Sequence, residues 1–518
     1  MDKNLQTIFK YHEETKHSHK KYARSLGYMD WANQPNPYRN YNGADEVLLP
    51  LATEHTTPPY HLIFEKSLPS APLLINSISQ FMQFSMGLAA IKSDGQNEWA
   101  LRCNASSGNL HPSEAYLILP PLNGICEQTS ISHYAPKNHS LEILKSYDCS
   151  IWKTLPEGSF FVALSSILYR EIWKYGERAF RYTQLDAGHA AQALHISAKT
   201  LGWKYQHINA INDEDLSKLF GFDDTLRFNE NEHEIADMLL LITPDDYHEE
   251  VNFSELLNSE KFNSIANAIA SNYQKWPLIT EVEKAAFSVP TLRKTANEKS
   301  ICREPSKEAK EIILKRRSAQ VMNAHNTHIS YQSFFTMMQS TLESFNGLEN
   351  SVNLFLFVHD VENLEAGLYL YLRNETQLEE LKNSMSEAFV WDYRDGNLYA
   401  LKYGDFRDVA KAYSCNQNIA SDGAFSLGML SSFSDDLLRN GAHRYKEMYW
   451  ECGAIGQQLY LEATAFNLSA TGIGCFLDDE MHTILGLKNN KFQSLYHFTV
   501  GRGLVDNRLL TLKPYSNR

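Results

Sequence analysis

The chain has few cysteines, and none of the seven forms a C-x-x-C pair. An odd number of scattered cysteines argues against a disulfide framework and against a zinc ribbon. We therefore expect reduced thiols and a cytoplasmic protein. His12, His17 and His19 lie close together in the sequence, but no cysteine or acidic pattern completes a metal site. We expect a solvated histidine-rich segment and no metal.

Long apolar runs and targeting signals are also missing. No window approaches the roughly 20 apolar residues of a membrane span. The segment from Met1 to Lys21 is polar and charged, unlike a signal peptide or a transit sequence. We expect no membrane segment.

Positive charge is in deficit, because 48 Lys and Arg residues face 62 Asp and Glu residues and the formal net charge is -14. Nucleic-acid binding needs a concentrated positive field, so we expect no nucleic-acid partner. The P-loop, H-E-x-x-H, G-x-S-x-G and G-x-G-x-x-G patterns are all absent. Their absence removes the usual sequence signals of P-loop nucleotide binding, zinc peptidases, serine hydrolases and Rossmann dinucleotide binding.

What the chain does contain is a long repeat. Residues 186–222 recur at 451–487 with an offset of 265 (451 minus 186) and no gap, and residues 134–145 recur at 371–382 with an offset of 237. This period far exceeds the roughly 20 to 50 residues of a solenoid unit. The repeat predicts two related globular domains in one chain, a covalent counterpart of a homodimer. The identical or similar pairs include Asp186/Glu451, Gly188/Gly453, Gln192/Gln457 and Asp213/Asp478.

Composition shifts predict how these domains are arranged. The run from Gln34 to Pro37 punctuates a Pro-, Asn- and Tyr-rich segment, and Pro244 ends an apolar run at Ile235–Thr243. We expect four parts: an irregular N-terminal extension over 1–70, a first domain over 71–245, a polar, partly helical connecting segment over 246–306 and a second domain over 307–518.

Periodicity predicts helices mixed with short strands, without regular alternation, which favours an α+β fold. The predicted elements are a helix over Leu73–Ala90 and strands over Glu114–Leu119, Phe160–Leu168, Ile235–Thr243, Asn353–Val358 and Leu495–Val500.

A stripe of small and apolar residues predicts one further helix in each half. We consider two alternatives: these helices pack against each other at the pseudo-twofold interface, or each is the core helix of its own domain. The stripe comprises Ala187, Ala191, Leu194, Ala198 and Leu201 in the first half and Cys452, Gly456, Leu459, Ala463 and Phe466 in the second.

Two segments offer donors for a ligand. Residues 102–112 read RCNASSGNLHP, in which backbone N–H groups, hydroxyls and an amide could face a planar ligand or a phosphate. Arg316, Arg317 and Ser318 offer two guanidinium forks and a hydroxyl, which suit a phosphate. From the residues alone, an ordinary turn and a solvated helix end remain the alternatives.

Two other segments offer a proton carrier and close backbone approach. Lys174 and Tyr175 precede the repeated helix of the first half and could move a proton. Gly472 and Gly474 follow the repeated helix of the second half and could let backbone approach a ligand. The alternatives are a charged, aromatic helix start and a glycine pair without function.

Together these segments resemble the nitroreductase-type flavin fold in both halves, from about residue 70 onward. The first half resembles the SagB/ThcOx branch, FMN-dependent dehydrogenases that oxidise thiazolines and oxazolines in peptide natural products. The resemblance implies FMN at the interface between the two halves. It also implies that Lys174 and Tyr175 are catalytic. The cofactor-binding residues that it implies are Arg102, Ser106, Ser107, Asn109, Arg316, Arg317, Ser318, Gly472, Gly474 and Arg508.

The resemblance also implies an asymmetric protein. Arg316, Arg317 and Ser318 match the R-R-S segment of the family in the second half only, with Gln320 where the family has a further arginine. Ser106, Ser107 and Asn109 match the P-S-x-x-N segment in the first half only, with Ala105 in place of proline. We therefore expect one complete FMN site per chain and a degenerate mirror-related site.

The expected activity is that of an FMN-dependent oxidoreductase acting on a small molecule or a modified peptide, with Lys174 or Tyr175 accepting the coupled proton. One alternative is an NAD(P)H-dependent nitro or quinone reductase. Another is a scaffold or partner protein that has lost the cofactor. A duplicated chain can satisfy its own interface, so a monomeric pseudo-dimer is a reasonable expectation.

Overall fold

The structure is a computed structural model that describes residues 2–65, 68–229, 231–257, 261–289, 301, 303–343 and 350–516. Among these residues, we find no helix with both the length and the apolar character that a membrane crossing requires.

The first half of the chain contains six α-helices and eleven strands within the described residues. The helices are α1 (Lys3–Glu14), α2 (Ile75–Gln83), α3 (Leu168–Tyr175), α4 (Ala179–Thr200), α5 (Asp213–Phe220) and α6 (Pro277–Ala285). The strands are β1 (Tyr41–Asn42), β2 (Asp45–Leu48), β3 (Leu88–Ser93), β4 (Glu98–Arg102), β5 (Ser113–Leu119), β6 (Thr129–Ala135), β7 (Ser140–Tyr147), β8 (Phe160–Ser166), β9 (Lys204–His207), β10 (Ile235–Thr243) and β11 (Ile265–Ala266).

The second half contains seven α-helices and eight strands, again within the described residues. The helices are α7 (Ala309–Lys315), α8 (Tyr331–Ser340), α9 (Leu378–Ser384), α10 (Arg407–Tyr413), α11 (Ser434–Asn440), α12 (Arg444–Ala465) and α13 (Asp478–Leu485). The strands are β12 (Val352–Val358), β13 (Gly367–Tyr371), β14 (Asp392–Asp395), β15 (Leu398–Tyr403), β16 (Phe425–Ser432), β17 (Ser469–Ile473), β18 (Phe492–Gly501) and β19 (Leu510–Leu512).

Each half is built on a seven-stranded antiparallel sheet with the same strand order. The orders are β2-β7-β6-β5-β8-β10-β9 and β14-β15-β13-β12-β16-β18-β17. Even the irregularities repeat, because β10 bulges at Asp237 and β18 bulges at Leu495. The predicted α+β fold with two similar domains is confirmed.

The two halves also share a sheet. β19, close to the C-terminal end of the chain, pairs antiparallel with β3 of the first half, with Leu510 opposite Ser93, and β3 pairs in turn with β4. Further on, the Tyr515 hydroxyl accepts the N–H of Leu88 at 2.8 Å and donates to the carbonyl oxygen of Pro136. The end of the second half therefore forms part of the wall of the first.

The long helices α4 and α12 cross in direct contact at Gly188 and Gly453. A side-chain carbon at Gly188 would lie 2.2 Å from the carbonyl oxygen of Trp450, and one at Gly453 would lie 2.1 Å from that of Leu185. The stripe around Ala187 packs into a core of the first half to which Trp450 and Ala454 of α12 also belong. Gly456 of the second stripe lies against His189 of α4, since a side-chain carbon there would be 2.7 Å from the histidine ring. Both alternatives are thus realised: the two helices contact each other, and the stripe of the first half also lines the core of that half.

The predicted helix over Leu73–Ala90 is too long. α2 ends at Gln83, and β3 begins at Leu88 and pairs with β4. The run from Leu88 to Ile91 is apolar without a break, and such a run fits a buried strand as well as a helix. The other predicted strands lie at β5, β8, β10, β12 and β18, although Leu168 begins α3 rather than ending β8.

The expectation of an irregular, solvated N-terminal extension is wrong for its first residues. They form α1, whose Ile8 and Tyr11 are buried in a core shared with the second half. His12 is also buried, within hydrogen-bond distance of Tyr445 (3.2 Å) and Gln493 (3.0 Å), and His17 is buried while His19 is exposed. α1 is amphipathic, and its apolar face packs against the rest of the protein. This face is therefore buried, although the polar sequence suggested that the segment would be solvated.

The expectation of uniformly reduced thiols is also wrong. Cys415 and Cys475 form a disulfide across a sequence separation of 60 residues. The other cysteines among the described residues, Cys103, Cys126, Cys149 and Cys452, are free, and Cys302 lies outside the described residues. No short spacing marks the disulfide, since the fold alone brings the two cysteines together. The domain boundaries at 70, 245 and 306 stay predictions.

Candidate functional site

Two arginines that follow α7, Arg316 and Arg317, form the centre of the candidate site. The guanidinium of Arg316 donates to the carbonyl oxygens of Cys103 and Arg102 in the first half, both at 3.0 Å, and Arg317 donates to that of Ala89 at 3.2 Å. Among the described residues, neither arginine has a carboxylate partner, and Nη1 of Arg316 has no hydrogen bond. Burial lowers the pKa of both guanidiniums, that of Arg317 to about 10.

Ser318 and Gly472 meet beside these arginines at the hydroxyl of Tyr460. The Ser318 hydroxyl lies 2.8 Å from the Tyr460 hydroxyl, which also accepts the N–H of Gly472 at 2.9 Å. Ser318 forms a parallel bridge with Ala470, and the guanidinium of Arg316 lies 5.1 Å from the centre of the Tyr460 ring. The R-R-S segment therefore runs alongside the glycine strand β17.

The loop from Ala105 to His111 supplies the first half of the site and is held by the carboxylate of Asp186 on α4. The Ser106 and Ser107 hydroxyls donate to Asp186 at 2.6 and 2.8 Å, and the N–H of Ser107 donates at 2.9 Å. Asn109 donates to the carbonyl oxygen of Ala100 at 3.0 Å. Burial raises the pKa of Asp186 to about 7, an effect that these hydrogen bonds oppose.

Lys174 and Tyr175, at the end of α3, lie directly over this loop. A side-chain carbon at Gly108 would lie 2.8 Å from the Tyr175 hydroxyl oxygen and 2.9 Å from Lys174 Nζ. The Tyr175 ring also contacts the ring of Tyr182, with 4.4 Å between centres, and the Tyr182 hydroxyl donates to the carbonyl oxygen of Gly474 at 2.9 Å. The two predicted catalytic residues thus lie between the loop of one half and the glycine segment of the other.

The two glycines of the second half make room for tyrosines. A side-chain carbon at Gly472 would lie 1.7 Å from the Tyr496 hydroxyl, and one at Gly474 would lie 2.2 Å from the Tyr182 ring. A larger residue at either position would displace an aromatic ring from the wall of the site.

Two of the predicted cofactor-binding residues, Arg102 and Arg508, have side chains that make their contacts outside this cluster. Arg102 is buried and donates to the carbonyl oxygen of Pro37 at 2.5 Å, with its guanidinium 5.7 Å from the Tyr38 ring centre. Arg508 is exposed and pairs with Asp506 at 2.7 Å. Only the main chain of Arg102 contributes, by accepting a hydrogen bond from Arg316.

Several residues of the site were not identified from the sequence. His189 on α4 lies 3.3 Å from the amide oxygen of Gln457 and 3.2 Å from the Tyr496 hydroxyl. The same amide oxygen accepts the N–H of Ala105 at 3.1 Å, so Gln457 connects the loop of the first half to α12. The identity of Gln192 and Gln457 in the repeat was the available signal.

Glu171 was missed as well. It lies on α3, one turn before Lys174 and Tyr175, and is fully buried. Neither carboxyl oxygen has a hydrogen bond within the described part of the chain. Burial, followed by the charge of Asp186, raises the pKa of Glu171 well above its usual value. Its spacing of three and four residues from the Lys-Tyr pair was the signal, because such residues share a helix face.

The mirror-related position differs in chemistry. A small cavity there is lined by Gln192, His195 and Ala454, with Arg373 and Glu343 at its wall. At the repeat offset of 265, Gln457 of the first site corresponds to Gln192, Tyr460 to His195 and His189 to Ala454. Gly472 corresponds to His207, and Gly474 corresponds to Asn209.

The buried arginines near this cavity are neutralised. Arg373 pairs with Glu451, and Arg303 pairs with Glu343 at 3.0 Å and with Glu462 at 2.8 Å. Arg316 and Arg317 have no such partners among the described residues. A buried cation without a counter-charge is costly. The first site therefore fits a doubly charged anion such as a phosphate monoester. At the mirror-related position, glutamate carboxylates of the protein already neutralise the arginines.

Comparisons with known proteins find similarity in both halves of the chain. The profile of the Nitroreductase family matches residues 96–229 and 360–502, one segment in each half. A protein of Methanocaldococcus jannaschii, named as a candidate nitroreductase, is 24% identical over 160 residues, which cover 29% of this chain and 75% of that protein.

Two solved structures of proteins named as candidate nitroreductases are similar. The one from Anabaena variabilis is 21% identical with a TM-score of 0.69, over 96% of this chain and 99% of its own. The one from Ralstonia eutropha is 14% identical with a TM-score of 0.30, over 42% of this chain and 99% of its own. The first shares the fold across both halves. The two matched segments together cover more than half of the chain, and one lies in each half. The chain therefore belongs to the nitroreductase family.

Proposed function

We propose that this chain is an FMN-dependent oxidoreductase with one composite cofactor site formed by both halves. Its reaction would transfer hydride between the flavin and a small molecule or modified peptide, as in the SagB/ThcOx-type dehydrogenases that the first half resembles. FMN, when bound, would supply the reversible hydride exchange that no protein side chain provides.

The observation that carries this proposal is the pair of unneutralised guanidiniums at Arg316 and Arg317. Membership of the family makes FMN the expected ligand, and its phosphate would give these arginines the anion that the protein lacks there. The charge-assisted hydrogen bonds of such a pair are stronger than neutral ones. The half-buried position of Arg317 and the exposed position of Ser318 leave these residues open to a ligand.

The first half would orient the ligand and exclude water. Asp186 fixes the loop of Ser106 and Ser107, so that the exposed backbone at Gly108 faces the site beneath Lys174 and Tyr175. Rigid support of this kind holds reacting groups in one geometry, which is a large part of enzymatic rate enhancement.

We place the coupled proton transfer on Lys174 and Tyr175. Burial, followed by the charges of Glu171, Tyr182 and Asp186, raises the pKa of the Tyr175 phenol well above its usual value. The phenol therefore keeps its proton at neutral pH and is a weaker acid than a free tyrosine, so it would act as a hydrogen-bond donor to the substrate. In the oxidative direction, the proton from the substrate would have to be accepted at Lys174 Nζ or passed on through the pair.

The protonated phenol also favours a second candidate function, an NAD(P)H-dependent nitro or quinone reductase, because a hydrogen bond from it would stabilise the negative charge that develops on the oxygen of such a substrate. The third possibility, a scaffold without cofactor, is disfavoured by the uncompensated charge at Arg316 and Arg317. A protein that had no anionic ligand would gain stability by losing one of these arginines.

The absorbance spectrum of the purified chain, with its FMN-to-chain ratio, tests the proposal. One FMN per chain is expected. Two would contradict the composite site, and failure to bind added FMN would support the scaffold. Anaerobic addition of NADH or NADPH then separates the enzymes, because rapid bleaching of the flavin indicates the reductase.

A further inference from the structure

Three residues that are distant in sequence place their ligand atoms together beside the glycine segment. They are His17, which follows α1, Cys415, which follows α10, and Cys475, which follows β17. His17 Nδ1 lies 3.6 Å from Cys475 Sγ, and the ligand atoms of all three lie within 4.8 Å of one another. Within the described part of the chain, this is the one such group of three histidine, cysteine or acidic residues.

Main-chain hydrogen bonds hold the three segments in this arrangement. The N–H of His17 donates to the Asp478 carboxylate, and the N–H of Asp478 donates to the carbonyl oxygen of His17, both at 2.8 Å. On the other side, the N–H of Leu477 donates to the carbonyl oxygen of Tyr413, also at 2.8 Å. The backbone positions of the three ligand residues are therefore fixed by their neighbours rather than by the disulfide alone.

The ligand types and the spacing suit zinc. Zinc binds cysteine sulfur at ~2.3 Å and histidine nitrogen at ~2.1 Å in tetrahedral geometry, so a sulfur and a nitrogen on one ion lie about 3.6 Å apart. The observed separation of His17 Nδ1 and Cys475 Sγ has this value. The Cα atoms of Cys415 and Cys475 are 6.0 Å apart, so rotation of the side chains would bring both sulfurs to the same ion.

We propose that His17, Cys415 and Cys475 form a zinc site when the disulfide is reduced. A dithiol reductant supplies two electrons and two protons, which break the S–S bond and give two thiols and the oxidised reductant. A phosphine supplies the two electrons and becomes its oxide, while water supplies the two protons and the oxygen atom. On binding Zn²⁺, each thiol releases its proton, and His17 binds as the neutral imidazole through Nδ1. Three protein ligands leave the fourth tetrahedral position to water.

The site would join three parts of the molecule. His17 belongs to the N-terminal segment, and Cys475 follows Gly474, whose carbonyl oxygen accepts the Tyr182 hydroxyl. The disulfide connects only Cys415 and Cys475. The zinc-bound form would also connect the N-terminal segment, through His17. The cluster would therefore join two segments under oxidising conditions and three under reducing conditions.

Metal titration of the full-length protein tests the proposal. The chain is treated with a chelator, reduced with a phosphine, desalted without oxygen and titrated with Co²⁺ and then Zn²⁺. We expect one equivalent of Co²⁺ to give a thiolate-to-cobalt charge-transfer band that Zn²⁺ abolishes, and no band in the unreduced protein. Absence of the band from reduced protein would overturn the proposal.

Variants locate the site. Cys415→Ser and Cys475→Ser are expected to lose the band, and His17→Gln is expected to weaken binding by about tenfold or more. Cys126→Ser and His19→Gln are the matched controls and should leave the titration unchanged. A band that persists in Cys475→Ser, or that disappears in Cys126→Ser, would place the metal elsewhere. Circular dichroism confirms folding, and the comparison of reduced with oxidised wild-type protein does not depend on any variant.

Discussion

Gly453 lies so close to Gly188 that a side-chain carbon on the first would be 3.0 Å from Cα of the second. The same carbon would be 2.1 Å from the carbonyl oxygen of Leu185. The two residues are equivalent in the repeat, and their helices α4 and α12 carry residues of the candidate site, including His189 and Gln457. The two helices can approach this closely because each glycine carries only a hydrogen atom where another residue would carry a side chain.

Adding one methyl group at this crossing should destabilise the protein. We expect Gly188→Ala or Gly453→Ala to lower the free energy of unfolding by about 1–3 kcal/mol or more, because backbone rather than a flexible side chain obstructs the new carbon. Urea denaturation measures the change. An unchanged midpoint in both variants would show that the helices separate without cost.

The guanidinium of Arg317 has no carboxylate partner among the described residues, whereas that of Arg508 pairs with Asp506, so we expect substitutions of the two arginines to differ in effect. Arg317→Gln should weaken FMN binding by roughly 10- to 100-fold, the equivalent of losing about 1.5–3 kcal/mol of charge-assisted hydrogen bonding. Arg508→Gln, at an exposed arginine paired with Asp506, should leave binding unchanged. Quenching of flavin fluorescence measures both affinities. Equal losses in the two variants would contradict the placement of the phosphate at Arg317.

The same Arg317→Gln variant should be no less stable than the wild-type protein when flavin is absent. Removing half-buried Arg317, which adjoins the buried cation of Arg316, relieves the repulsion between the two charges, while the wild-type protein gains stability only when the anion binds. The thermal midpoint with and without FMN checks this expectation. A large loss of stability without FMN would mean that Arg317 is structural.

Asp186 should make stability depend on pH. Its folded-state pKa of about 7 lies above the usual value for an unfolded chain, so the folded protein binds this proton more tightly. The contribution to stability is fully present below about pH 4 and is lost as the pH rises to about 7. Relative to Asp186→Asn, the wild-type protein should lose stability with increasing pH in this window. Parallel urea-denaturation curves for the two proteins would contradict the raised pKa.

The proton-transfer proposal predicts that Lys174→Ala and Tyr175→Phe keep FMN and lose activity. General acid–base groups contribute roughly 10²- to 10⁴-fold in rate, so turnover should fall within that range for at least one variant. Tyr169→Phe is a matched control on the same helix, since its hydroxyl donates to Asn272 instead. Normal turnover in both site variants would falsify the assignment.

The sequence predicted the duplication, because the duplication depends on residues that can be compared at a fixed offset. The division of the cofactor-binding residues between the halves came from the family resemblance and stays a prediction. Gly188 and Gly453, or Asp186 and Glu451, are visible in this way. The ion pairs at the mirror position were not, because Arg303 and Arg373 have no repeat signal and pair with residues 40 or more positions away. Burial creates their energetic role, and burial depends on the whole fold.

The cluster of His17, Cys415 and Cys475 shows the same limit. Each residue alone fits an unremarkable position, and His17 looked solvated because its neighbours in sequence are polar. Packing of α1 on the second half brings it to the two cysteines. The error over Leu88–Ala90 has a related cause, since an apolar run does not reveal which neighbour it will pair with.

The pairing of β19 with β3 ties the fate of the two halves together. Cutting the chain between them would leave β3 with a free edge, and an uncovered edge strand invites pairing with other molecules and aggregation. Because β19 of the second half covers the edge of β3 in the first half, losing either half or expressing it alone would expose this edge or leave β19 without its partner strand. This mutual dependence gives a physical reason why both halves would be retained.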